Sequence, residues 1–148
     1  MQYCEQMKIS IIPLVILPIE SDGFHLIVSG EIHYNPATFL IDTGASRTVF
    51  DKKLILDYVK TADISEIGKF STGLGTDSMP THTTRLEQLR LGSLEIVDYD
   101  AVIIDLQFVH QSYQTLELPL IHAVIGGDIL NKYNAVINYK KKELKLYH

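Results

Sequence analysis

Cysteine, positive charge and long apolar runs are scarce in this chain, and each shortage excludes a class of protein. Cys4 is the single cysteine, which rules out an internal disulfide and a cysteine-based zinc cluster and suits a reducing compartment. The formal net charge is -5 and no basic stripe is present, which argues against nucleic-acid binding. The apolar stretch from Ile9 to Ile19 is broken by two prolines and is too short to span a membrane. We therefore expect a cytoplasmic protein with no signal peptide and no membrane or nucleic-acid partner.

Metal-binding and nucleophile motifs are also missing. The six histidines show no paired spacing typical of a metal site, so we expect neither a metal ion nor another cofactor. No nucleophile elbow accompanies His110 or His122, so neither histidine is predicted to activate a serine or cysteine.

The composition that remains is that of a folded domain. Of 148 residues, 46% are apolar and 21% are charged, which indicates one globular domain over residues 1–148 with a single core. Strand-like segments dominate, so we expect an all-β fold with one or two short helices. We divide it into an N-terminal strand region, about 1–23, and a core, about 24–147.

Local patterns predict most of the elements. We expect one or two strands within Ile9–Ile19, further strands at 24–32, 38–41, 83–91 and 94–106, and a closing hairpin of 135–139 and 143–147 with Leu144 and Leu146 facing inward. Asp51 is predicted to cap one short helix, and Asp128 another that ends at Lys132. Residues 107–119 are polar and mixed, and their pattern predicts no element.

The most informative stretch is the apolar run that ends at Asp42. Phe39-Leu40-Ile41 is followed by Asp42, Thr43, Gly44, Ala45 and Ser46. A carboxylate at the end of a buried strand is costly unless hydrogen bonds satisfy it, and the hydroxyls and the glycine that follow suit a tight turn that could do so. A surface turn in which Asp42 caps nearby amides is the alternative.

A second element lies 82 residues further along, where Val124-Ile125 runs into Gly126-Gly127-Asp128-Ile129-Leu130. Together the two stretches resemble the signatures of retropepsin-like aspartic proteases. The resemblance covers roughly residues 24–147 and implies a single-lobe acid-protease β-barrel. In that family the two halves of a lobe are related, and each places a glycine turn near the centre. Apolar strands leading into Gly44 and into Gly126 fit this relation.

The resemblance implies an aspartic endopeptidase that acts on peptides or proteins. Its chemistry needs two carboxylates on one water, one ionised and one protonated. The chain has a single Asp-Thr-Gly, so the second carboxylate must be Asp42 of another copy in a homodimer. Thr43, Gly44, Ala45 and Ser46 would support the catalytic loop, with the Thr43 hydroxyl bonding across the dimer. A non-catalytic peptide-binding or dimerisation module is the alternative, and a structural barrel with a chance motif explains the Gly126 element poorly.

The remaining expectations concern the cleft. Gly73, Leu74 and Gly75 follow the aspartate by about thirty residues and are candidates for the tip of a flap that closes over substrate. Ile125, Gly126 and Gly127 form the second glycine element. The chain also departs from the retroviral pattern, because Ser46-Arg47 stands where acidic residues are usual and Gly127 stands where an arginine is usual. The usual ion pair near the dimer interface is therefore absent.

Overall fold

The computed structural model describes residues 5–71 and 78–148, and these ranges are built mainly from β-strands. The strands are β1 (Ile9–Pro13), β2 (Val15–Ile19), β3 (Gly23–Ile32), β4 (Asn35–Ile41), β5 (Val49–Asp51), β6 (Ser65–Ser71), β7 (Ser78–Leu91), β8 (Leu94–Ile104), β9 (Ala123–Ile125), β10 (Val136–Asn138) and β11 (Glu143–Tyr147). The helices are α1 (Gln107–Thr115) and α2 (Gly127–Lys132), and two short 3-10 turns lie at Leu54–Asp57 and Thr61–Asp63. Within these ranges no helix has the length and apolar character needed to cross a membrane.

The larger sheet closes into a barrel. Its strand order is β2-β3-β4-β9-β5-β8-β7-β6, and the far end of β3 pairs again with β7 through Glu31–Arg90 and Ile32–Leu89. The path β3-β4-β9-β5-β8-β7 therefore returns to its starting strand, and the expected all-β single-lobe barrel with two short helices is confirmed. A smaller sheet in the order β1-β11-β10 joins the two ends of the chain.

Both faces of the central strands are buried. Phe39 and Ile41 of β4 pack into the main core, whereas Leu40 points to a second, smaller cluster on the other face. Such strands read as continuous apolar runs because neither face meets water. The closing hairpin also forms as expected, with Leu144 and Leu146 both at 0% exposure.

Helix α1 forms within the mixed segment 107–119, whose pattern predicted no element. Within the helix, Tyr113 is buried in the smaller cluster and the half-buried Val109 packs against the same cluster. Its start is held by Asp105, whose Oδ1 accepts a hydrogen bond from the Gln107 amide at 2.9 Å. Tyr113 and Val109 thus attach to the core a helix whose mixed polar sequence predicted no element.

The two predicted capping aspartates behave differently. Asp51 accepts hydrogen bonds from the amides of Lys53 and Leu54, as expected, although the turn that follows is a 3-10 turn. The prediction for Asp128 is wrong. Helix α2 begins after Gly126 without any side-chain cap, because the Asp128 carboxylate turns away to bond other groups.

His122 joins three strands at the start of β9. Its Nδ1 accepts a hydrogen bond from the Thr38 amide at 3.0 Å, its own amide donates to the Thr38 carbonyl, and its carbonyl accepts from the Asp51 amide. The Tyr58 ring meets the imidazole edge-on, with the centroids 5.6 Å apart. Burial lowers the pKa of His122 below its usual value.

We expect this histidine to make stability depend on pH. Below about pH 6.5 the unfolded chain binds a proton at His122 that the folded chain does not, so stability should fall as the pH drops towards the lowered folded pKa. His122→Asn removes the titration but keeps an oxygen able to accept from Thr38, so it should flatten this part of the profile. Urea denaturation at about pH 7.5 and about pH 5 measures the effect.

His148→Asn is the matched control because it removes a histidine away from the junction of β4, β5 and β9. The difference in slope between the two variants isolates the contribution of His122. Equal slopes in His122→Asn and His148→Asn would contradict the assignment.

Candidate active site

Asp42 and the second glycine element lie side by side at the ends of two parallel strands. Strands β4 and β9 pair in parallel, with Leu40 opposite Val124 and Ile41 opposite Ile125. The register continues one step further, because the Asp42 amide donates to the Ile125 carbonyl at 3.0 Å. Parallel strands with matched ends deliver the residues that follow them to the same edge of the sheet.

The Asp42 carboxylate is held on one oxygen and open on the other. Its Oδ1 accepts from the Gly44 amide at 2.9 Å, and the Asp42 carbonyl accepts from the Ala45 amide at 3.2 Å. Asp42 is an exposed residue, and its Oδ2 bonds to nothing within the described ranges. A Cβ at position 44 would lie 3.3 Å from Oδ1, so glycine lets the chain turn closely around the carboxylate. The turn is the kind that aspartate favours, yet it leaves one oxygen free for chemistry.

The supporting residues surround this turn. Thr43 and Ser46 are exposed, and neither hydroxyl bonds to any other part of the chain that the structure describes. Thr43 also lines a groove of about 320 Å³ that it shares with Gly127 and Ile137. The half-buried Ala45 packs against the smaller apolar cluster.

The second glycine element crosses directly over this loop. The Gly127 amide donates to the Ala45 carbonyl at 2.7 Å. A Cβ on Gly126 would lie only 2.7 Å from the backbone carbon and oxygen of Arg47, closer than side chains approach backbone. Gly126 is therefore needed for the close approach of two backbones and not for an unusual dihedral angle, since its φ is -109°. The structure thus brings residues 42–46 and 125–127 into one compact site.

A hydrogen-bonded cluster of Thr48, Tyr99 and Asp128 supports the two crossed loops of the site. The role of this cluster was not predicted from the sequence. Oδ1 of Asp128 accepts from both the amide and the hydroxyl of Thr48, each at 2.7 Å. Its Oδ2 accepts from the Tyr99 hydroxyl at 3.0 Å. The Thr48 hydroxyl oxygen in turn accepts from the Gly126 amide at 3.0 Å. Thr48 is a polar residue that directly precedes the apolar start of β5, and it is 0% exposed. A polar residue in that position is a signal that could have pointed to it, whereas nothing in the local sequence points to Tyr99.

Burial and neighbouring charges act on the pKa of the Tyr99 hydroxyl in this cluster. Burial, followed by the nearby Asp128 carboxylate, raises the pKa of the Tyr99 hydroxyl far above its usual value, so the phenol stays a donor. The Arg47 guanidinium acts in the opposite direction on the same pKa, which places this cation in electrostatic reach of Tyr99.

The flap expectation is not addressed by the structure, because Gly73, Leu74 and Gly75 lie outside the described residues. The pairing of Ser71 with Ser78 brings the two flanking ends of that segment together.

A separate cleft does not include the candidate site. It measures about 820 Å³ and is bordered by Asp51, Lys52, Gln107 and His110, with no residue of the 42–46 turn. Asp51 is buried and accepts three backbone amides, from Lys53, Leu54 and Leu106. His110 Nδ1 lies 3.7 Å from Oδ1 of Asp51. No serine, threonine or cysteine lines this cleft, so the pair has no nucleophile to activate.

The described residues contain no cluster of three or more histidine, cysteine, aspartate or glutamate side chains that could hold a metal ion.

Comparison with known proteins agrees with this geometry. A retropepsin-like aspartic protease from Rickettsia conorii shares the fold with a TM-score of 0.57 at 16% identity, covering 99% of this chain and 97% of that one. The retroviral protease-like domain of Ddi1 from Leishmania major gives a TM-score of 0.56 at 15% identity, covering 82% of this chain and 87% of that one. A search of curated proteins found no match.

A family model described as aspartyl protease matches residues 28–129, a range that holds both the Asp42 turn and the Gly126 element. The chain therefore belongs to the aspartyl protease family, and its fold is that of the retropepsin-like branch.

Proposed function

We propose that this chain is an aspartic endopeptidase whose active unit is a homodimer, with Asp42 of each copy forming the catalytic dyad. The observation that carries the proposal is the state of Asp42: it is exposed, fixed through Oδ1 by the Gly44 amide and open at Oδ2. An open carboxylate oxygen beside a groove is what a general base needs in order to reach water and substrate.

The second carboxylate has to come from another copy. The other acid on the two crossed elements is Asp128, and its two oxygens already accept three hydrogen bonds from Thr48 and Tyr99. A carboxylate so fully bonded is a poor proton carrier, because taking up a proton would break those contacts. The exposed Asp42 turn and the groove beside Thr43 leave room for a second chain to approach.

The reaction would follow from one proton shared by two carboxyl groups. Two carboxyls about 3 Å apart do not both ionise, so one is charged and one neutral. The charged carboxylate takes a proton from water while the water oxygen bonds to the scissile carbonyl carbon. The neutral carboxyl gives its proton to the carbonyl oxygen. The tetrahedral diol then collapses and the C–N bond breaks; the neutral carboxyl gives its proton to the leaving amine, and the charged carboxylate takes the proton of a diol hydroxyl, which restores the dyad.

Asp42→Asn should abolish cleavage and preserve the fold. The amide oxygen still accepts from Gly44, but the group neither takes a proton from water nor shares one. We expect turnover of a denatured protein mixture to fall by about a hundredfold or more. Asp98→Asn is the matched control, because Asp98 is exposed and its φ of 51° is one that asparagine tolerates. Retention of most wild-type activity in Asp42→Asn would discard the Asp42 mechanism, whereas the absence of cleavage by wild type would favour a non-catalytic peptide-binding or dimerisation module.

Activity should show a bell-shaped pH profile with an optimum at roughly pH 4 to 6, because the dyad needs one charged and one neutral carboxyl. A statine-type transition-state mimic should inhibit and a metal chelator should not. The folded fraction must be measured at each pH, since the His122 contact weakens in the same range. Inhibition by the chelator, with the mimic inert, would overturn the assignment.

Activity should depend on dimer concentration, because one chain holds one catalytic aspartate. Specific activity should fall on dilution towards the dimer dissociation constant. Mixed with an equal amount of Asp42→Asn chains, wild-type chains should keep about half their activity if pairing is random. A tethered wild-type pair should resist both effects. Activity strictly proportional to concentration, from a protein of monomeric mass, would exclude the homodimer.

A further inference from the structure

Arg47 stands at the edge of the candidate site with its backbone fixed. Asp42 bonds to Ile125, and Arg47 lies against Gly126, so the two residues contact consecutive positions of one element. Consecutive Cα atoms are about 3.8 Å apart, which places the backbones of Asp42 and Arg47 within roughly 10 Å of each other. The next residue, Thr48, is fully buried and hydrogen-bonded to Asp128, so the backbone from which the Arg47 side chain extends is held in place.

The Arg47 side chain is exposed and its charge is not neutralised within the described ranges. The chain has three arginines, and the other two face carboxylates: Arg90 pairs with Glu31 and Glu95, and Arg85 lies 3.9 Å from Asp98. No described carboxylate lies within 4.0 Å of Arg47. The nearby Asp128 is occupied by Thr48 and Tyr99.

A free guanidinium in this place suits one kind of ligand. It offers five donors in a planar fork that matches a carboxylate. The protein as a whole carries a net charge of -5, so a cation beside the candidate site is a local exception to its acidic balance. An extended peptide advances about 3.3 Å per residue, so a side chain within about three residues of the scissile bond would reach the guanidinium.

We propose that Arg47 is a specificity-determining residue that binds a substrate carboxylate, so that the enzyme selects peptides with aspartate or glutamate within about three residues of the scissile bond. The inference rests on the proposed endopeptidase function, and it names the substrate class of the same site.

The experiment compares three forms of the full chain: wild type, Arg47→Met and Arg47→Glu. Each is incubated with a library of proteome-derived peptides, and the cleavage sites are mapped by mass spectrometry. Two synthetic peptides that differ by one Glu→Gln change near the cleaved bond then give kcat/KM for each form. The assay is run at about pH 5.5, where the dyad is expected to work and substrate carboxylates are largely ionised.

Wild type should prefer the glutamate peptide by up to about fivefold, the scale of an exposed charge pair. Arg47→Met should lose this preference, and Arg47→Glu should favour a lysine peptide instead. Added salt should shrink the wild-type preference, because screening weakens exposed charge pairs. Arg85→Met is the matched control and should keep the wild-type preference, since Arg85 is exposed on β7 away from the Asp42 loop.

The outcomes separate the two proposals. Asp42-dependent cleavage with the same preference in all three forms would overturn the role of Arg47 and leave the endopeptidase proposal standing. Absence of Asp42-dependent cleavage in wild type would overturn both. Thermal denaturation of each variant checks that a lost preference does not come from a lost fold.

Discussion

The in-register parallel pairing of β4 and β9 is the interaction on which the rest of the site depends. It ends both strands at one level, so that the Asp42 turn and the Gly126 turn emerge together. Two further bonds lock the crossing, one from Gly127 to Ala45 and one from Gly126 to Thr48. Each turn forms hydrogen bonds with backbone groups of the other, so the conformation of each turn depends on the other. The position of the Asp42 carboxylate is therefore a property of the pair of turns.

The fold and the central residues were predictable because their signals are local. A continuous apolar run marks a strand buried on both faces, and Asp-Thr-Gly directly after it marks a tight turn, so the class of fold and the Asp42 turn could be predicted from short stretches. Partners distant in sequence leave no such signal. The bond between Tyr99 and Asp128 joins residues 29 positions apart. The predicted helix cap at Asp128 failed because a buried threonine 80 positions away competes for the same oxygen. Helix α1 was missed because its sequence is polar and mixed, and its contacts with the core come from Tyr113 and Val109.

The two carboxylates near the crossing, Asp42 and Asp128, have opposite surroundings. These surroundings suit one of them to a structural role and the other to proton transfer. Asp128 accepts three hydrogen bonds and spans β5, β8 and α2, which makes it a fixed acceptor. Asp42 accepts one side-chain bond and faces solvent. A general base must be able to gain and lose a proton without disrupting its neighbours. The less satisfied carboxylate is thus the one suited to react, and the more satisfied one is suited to hold the loop that carries it.

Proton uptake has opposite consequences at two places on strand β4. At its end, the proposed dyad needs a proton, so acid favours the working state. Near its start, Thr38 donates to the neutral imidazole of His122, and protonation of that ring would turn an acceptor into a donor facing an amide hydrogen. Acid therefore weakens the contact between Thr38 and His122 near the start of β4, while it supplies the proton that the proposed dyad needs at the end of the same strand. Because the main core packs Phe39 and Ile41 between these two points, apolar burial has to keep the strand in place when the His122 contact is lost.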